Sequence, residues 1–140
     1  MKTVLVAVDG SEGASRAAGF AAELAVDLKA KVELVYVYDR PTAIHLGLGA
    51  SDNLALTDAG ESIARGAIVG ASKALGERVA AAHHLAIGDP AEEIVRMARE
   101  LHADLIVVGA SGLRGPEGAL LGSVARRVLQ LAERPVTVVP

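Results

Sequence analysis

An alternation constrains this chain more than anything else in it. Short runs rich in β-branched residues lie at 2–8, 31–37, 104–108 and 136–139, with a weaker one at 83–87. Between them lie segments whose apolar residues recur at helical spacing. Ala14, Ala17, Ala18, Ala21, Leu24, Ala25 and Leu28 share one helix face, and Ala64, Ala67, Ile68, Ala71, Leu75 and Val79 share another. Ala91, Ile94, Val95, Ala98 and Leu101 form a third stripe, and Leu121, Val124, Ala125, Val128 and Leu131 a fourth. Runs that are apolar almost throughout suit strands covered on both faces. The predicted order is βαβαβαβαβ. Right-handed crossovers leave few topologies for that order, and a doubly wound α/β sandwich with four helices follows; an order 3-2-1-4-5 would make the first and fourth strands neighbours, which the residues alone leave open.

Local chemistry agrees. Asp89-Pro90-Ala91-Glu92 puts a side-chain acceptor before a helix, proline at its first position and glutamate where it reaches back. Asp58 with Glu61 repeats the arrangement for the second helix. The connection 38–57, with Pro41, Gly47 and Gly49, is long for a compact domain, which marks it as functional or mobile. Residues 1–140 read as one domain, able to bury roughly 70% of its unfolded surface. Its aromatic residues are Phe20, Tyr36 and Tyr38 alone, so Ala, Val, Leu and Ile must build the core and base-stacking platforms are scarce. A net charge of −3 disfavours nucleic acid as a partner. The absence of cysteine excludes thiolate metal sites, thiol catalysis and disulfides. The opening MKTVLVAV is too short an apolar run for a signal peptide or a membrane span, so a cytoplasmic location without membrane contact is expected.

In an open parallel sheet, ligands bind beyond the carboxyl ends of the strands, where the winding reverses. The unusual residues collect there. Asp9 follows the first strand, Val37 to Asp39 close the second, and Gly109-Ala110-Ser111-Gly112 follows the fourth, with Gly122-Ser123-Val124 after nine intervening residues. Glycines before a helix let an anion approach backbone N–H groups at the positive end of the dipole, and Ser123 adds a hydroxyl. Asp9 is read either as a turn residue or as an acceptor for ribose hydroxyls or the adenine amino group. The glycines are read either as a tight turn or as a phosphate cradle, and Arg114 is the nearest cation. A P-loop is excluded because no lysine stands between Gly122 and Ser123, and Asp9-Gly10-Ser11-Glu12-Gly13 lacks the dinucleotide spacing. Adjacent His83 and His84 make a poor metal pair on a strand.

Over its whole length the chain resembles the universal stress proteins. The resemblance is carried by Val-Asp-Gly-Ser closing the first strand, Gly-Asp-Pro before the third helix, Ala-Asp-Leu-Ile-Val-Val-Gly, the GxxG, nine residues, Gly-Ser-Val spacing, and the closing Pro-Val-Thr-Val-Val. The glycine spacing is that of the ATP-binding branch. The resemblance implies a Rossmann-like, doubly wound parallel sheet of five strands in the order 3-2-1-4-5, and it implies ATP, or ADP or AMP, with Mg beside the phosphates. It sets Ala7 and Asp9 beside adenosine, Val37 in the adenine pocket, Val108, Gly109, Gly112 and Arg114 along ribose and phosphates, and Gly122, Ser123 and Val124 on the phosphate chain. Ser111, Leu113 and Pro116-Glu117 depart from the family pattern. A homodimer is also implied, and pairing through the edge strand 136–139 would cover its open backbone groups. The expected function is that of a nucleotide-responsive regulatory or stress-protective protein acting on an unidentified protein client. It is more a binder than an enzyme. Slow ATP hydrolysis in the same pocket and a nucleotide-free structural dimer are the alternatives.

Overall fold

The computed structural model describes residues 1–39, 58–111 and 121–140, apart from the side chains of 58–61. Strands and helices alternate along them: β1 (Thr3–Val8), α1 (Glu12–Leu28), β2 (Lys31–Tyr38), α2 (Asp58–Leu75), β3 (Ala81–Ile87), α3 (Pro90–Glu100), β4 (Leu105–Gly109), α4 (Ser123–Leu131) and β5 (Val136–Val139). All pairings are parallel and the sheet order is β3-β2-β1-β4-β5, the Rossmann-like architecture that the family resemblance implies. The weak fifth run is a full strand that starts two residues earlier than its apolar pattern. Asp104, expected to open the fourth strand, stands just before β4, where its backbone N–H donates to the Thr3 carbonyl. The cap expected at Asp58 and Glu61 lies outside the described side chains, and most of the 38–57 connection lies outside the described residues, since β2 continues to Tyr38.

Period-two alternation divides the sheet between two cores. Val4, Val6 and Val8 of β1 and Leu34 of β2 face α1 and α2, where Ala17, Ala18, Ala21, Ala64, Ala67 and Ala71 meet them. Leu5, Ile106 and Val108 face the other way, against Ile94 and Ala98 of α3 and Ala125 and Val128 of α4. Leu5, Leu34 and Ile106 are wholly buried, each side chain contributing about 1.5–3 kcal/mol. The alanine stripe brings α1 close to the sheet, and that closeness positions the site. Two stripe residues are more exposed than the pattern predicts. Leu28 lies in the last turn of α1, and Val124 opens α4 on the rim of a cavity.

The amino end of the sheet is closed by polar clamps. Asp104 Oδ2 accepts from the Lys2 and Thr3 backbone N–H groups at 2.8 and 3.0 Å, tying the start of β1 to β4. These two bonds hold its carboxyl below the usual aspartate range. Glu33, only 4% exposed, accepts from His84 Nε2 at 2.7 Å and pairs with Lys31 Nζ at 2.9 Å. Burial pushes its carboxyl up, yet the bonds and charges of His84 and Lys31 outweigh this, so the net shift is downward. The cluster fixes edge strand β3 to β2.

Candidate nucleotide site

Between β1 and β4 the winding reverses, and the carboxyl ends of these two strands open onto a cavity of about 500 Å³. That size lies within the roughly 300–1,000 Å³ typical of small-molecule sites. Each element brings its part for a local reason. Beyond β1, the Ser11 N–H donates to Asp9 Oδ1 at 2.9 Å, and Ser11 Oγ accepts from the Ala14 N–H at 3.1 Å. This turn caps α1 and fixes Asp9 on the cavity wall. From β2, Val35 and Val37 give an apolar flank on the α3 side, and Tyr36 and Asp39 also reach the lining.

Tyr36 meets Tyr38 edge to face at 4.9 Å. Burial, helped by the neighbouring Tyr38, Asp39 and Asp9, pushes the Tyr36 hydroxyl up to about 12, so it keeps its proton at neutral pH. Ile94 and Ala91 of α3, Val108 of β4 and Ala125 of α4 make an apolar floor.

The glycine stretch has a structural duty of its own. A Cβ on Gly13 would collide with the Ser111 carbonyl oxygen, and one on Gly109 would come within 2.8 Å of the Gly13 carbonyl carbon. The first turn of α1 and the end of β4 therefore touch backbone to backbone. Gly122 donates its N–H to the Ala110 carbonyl, and a Cβ there would sit 3.0 Å from the same oxygen. These glycines bring β4, α1 and the start of α4 together whether or not a ligand is present.

Of the residues singled out from sequence, Ala7, Asp9, Val37, Val108, Gly109, Gly122, Ser123 and Val124 all line this one cavity. Gly112 and Arg114 lie outside the described residues. The lining also includes residues that sequence reasoning left out. The sequence gives Asp89 the role of a helix cap and places Ser111 within the glycine run, while Arg127 carries no expectation there. Its signal was available, since four residues after Ser123 is one helical turn.

The charges are unevenly placed. Asp9 and Asp39 stand on the β1–β2 side and Asp89 at the start of α3. Arg127 on α4 has its Nη2 3.7 Å from Glu92 Oε1. Three helices turn their first residues toward the cavity, but they are capped differently. Ser11 caps α1, and Asp89 Oδ2 caps α3 by accepting from the Glu92 N–H at 3.0 Å. The cap residue of α4 is Gly122, with no side-chain bond and no acid in the first turn that follows.

A doubly wound sheet with a ligand-sized crevice at its switch point defines a class of small-molecule-binding α/β proteins. The universal stress protein family model matches residues 1–140, and the chain belongs to that family. A universal stress protein of Methanocaldococcus jannaschii is 35% identical over 139 residues, covering 99% of this chain and 81% of the relative. A universal stress protein of Archaeoglobus fulgidus solved in complex with dAMP is 28% identical. It superposes with a TM-score of 0.71, covering 100% of this chain and 98% of that one. A universal stress protein in complex with cAMP is 31% identical, with a TM-score of 0.68 over 99% of this chain and 95% of the other.

Proposed function

We propose that this protein binds an adenine nucleotide, ATP or its mono- and diphosphate relatives, in the crevice between β1 and β4. It then acts as a nucleotide-responsive regulatory or stress-protective homodimer. The observation that carries the reading is the meeting of Asp9 and Gly122-Ser123, distant in sequence, on one cavity with an apolar floor. The relatives solved with cAMP and dAMP support the same ligand class. In this reading the base lies against Val37 and the apolar floor, and Asp9 accepts from ribose hydroxyls. The phosphates meet the first-turn N–H groups of α4, whose cap residue Gly122 brings no side chain, and the Ser123 hydroxyl.

A divalent ion accompanying the phosphates would take most of its ligands from phosphate and water, since the described residues contain no group of three metal-binding side chains. With no lysine between Gly122 and Ser123, ATP turnover is slow at most. The dimer would form through β5, which lies at the sheet edge with its valines partly exposed.

Calorimetric titration of the full chain with ATP, AMP and adenosine tests the binding. Micromolar affinity, about −8 kcal/mol, is expected for the phosphorylated ligands, and Asp9→Ala should weaken all three compounds together. Gly122→Val is a poor probe, because its side chain would strike the Ala110 carbonyl whether or not the site binds nucleotide. No heat at millimolar ligand, together with no nucleotide released by acid from freshly purified protein, would overturn the reading. Sedimentation at micromolar concentration tests the dimer.

A further inference from the structure

The helix starts at the cavity differ in electrostatics as well as in capping. Glu12 lies in the first turn of α1, and Glu92 and Glu93 lie in that of α3, so both positive ends already have side-chain anions beside them. No acid lies in the first turn of α4. Among the described residues, the cation that lines the cavity is Arg127, one turn beyond Ser123 on the same helix, with its side chain 51% exposed. Its distance from Glu92, 3.7 Å, is long beside the roughly 2.7–2.9 Å of a charge-assisted bond. Other arginines on this face are held tightly: Arg99 meets Glu133 at 2.9 Å and Arg96 meets Glu93 at 2.6 Å. Arg127 is thus a loosely held guanidinium on the cavity wall. Four residues of helix rise about 6 Å, a span an arginine side chain covers.

Resting on the nucleotide reading above, we infer that Arg127 is the residue that reads the ligand's phosphate. In the free protein it leans on Glu92. When a phosphorylated adenosine enters, it leaves Glu92 and takes a phosphate oxygen beside the α4 amides. Guanidinium and phosphate match in geometry as well as charge, which the single loose contact to Glu92 does not. Glu92 tolerates the exchange because it remains in the first turn of α3, where the helix dipole favours a carboxylate. The site therefore discriminates adenosine phosphates from adenosine itself. Binding also breaks the Arg127–Glu92 link between α3 and α4.

Calorimetry at about 50 mM salt with adenosine, AMP and ATP tests this on the parent, Arg127→Gln, Arg127→Lys and Glu92→Gln, with thermal melts confirming that each variant folds. Arg127→Gln should weaken AMP and ATP by about tenfold while leaving adenosine within about twofold, and Arg127→Lys should fall between. Glu92→Gln should tighten AMP by about two- to threefold, because the competitor for Arg127 has lost its charge. Equal loss for adenosine and AMP, or AMP binding untouched by Arg127→Gln, overturns the assignment of Arg127 while leaving the nucleotide site standing. A parent that binds no adenine compound overturns both.

Discussion

The two ends of this sheet use the same residue types for opposite purposes. At the amino end, Asp104 and the buried Glu33 are held by protein partners: two backbone N–H groups at the start of β1 for one, His84 of β3 and Lys31 of its own strand for the other. At the carboxyl end, Asp9, Asp39 and Asp89 line a cavity; Asp89 caps α3, and Asp9 accepts from the N–H of Ser11, the cap of α1. One end is held shut by polar bonds. At the other, glycine lets backbone meet backbone, at Gly13 and Gly109, beside the cavity. The comparison teaches that a carboxylate's role is set by which end of the parallel sheet it reaches.

The largest effect should come from breaking the backbone contact. Gly13→Val places a side chain into the Ser111 carbonyl, with backbone on both sides and no flexible group to yield. Relief requires α1 and β4 to separate. We expect a loss of more than about 4 kcal/mol, seen as a fall in melting temperature of more than about 10 °C. A variant melting within about 2 °C of the parent would show that the carboxyl end is looser than its geometry implies.

At the amino end the expected effect is smaller and carries a pH signature. Glu33→Ala leaves His84 and Lys31 without their shared carboxylate and should cost about 2–3 kcal/mol in urea unfolding at pH 7. Adenosine affinity should be unchanged, because the cluster lies away from the cavity. The folded-state pKa of Glu33 is depressed, so its stabilisation is fully present above the unfolded value near 4.5 and is lost as pH falls through the lower folded value. The gap between parent and Glu33→Ala should therefore narrow from pH 7 to pH 3. A constant gap would mean that packing, not the ion cluster, holds β3 in place.

The sequence revealed these two ends to different depths. The alternation of elements and the helix faces were readable because each rests on a local pattern, whereas the neighbouring of β1 and β4, and with it the convergence of Asp9 with Gly122, came only through the family resemblance. The Glu33–His84 clamp was not readable, because residues fifty-one apart meet only through the register of β2 with β3, which hydrophobic alternation does not specify. His83 and His84 were considered as metal ligands, and their partner across the strand was missed. Gly109 and Gly122 stood out as a phosphate cradle, yet their structural necessity, the contact with Gly13 and Ala110, depends on how close the alanine face of α1 lets the helix come. Val124 shares the helical stripe yet is partly exposed on the cavity lining, where the family resemblance, not the helical period, had set it.

The finest test separates α3 from α4 within the carboxyl end itself. Asp89→Ala removes the acceptor of the Glu92 N–H and leaves α3 without a side-chain cap, as α4 already is. Lost capping should cost about 1 kcal/mol of stability. If α4 alone receives the phosphate, AMP affinity should stay level or rise by up to about threefold, since a carboxylate has left the lining without removing a ligand contact. A tenfold loss of AMP binding with the melting temperature little changed would mean that Asp89 touches the ligand directly. The anion would then belong between the two helix starts and not on α4. Because Glu92 stays in place in this variant, the outcome does not depend on the Arg127 exchange, and the two experiments together assign the phosphate to one helix by independent routes.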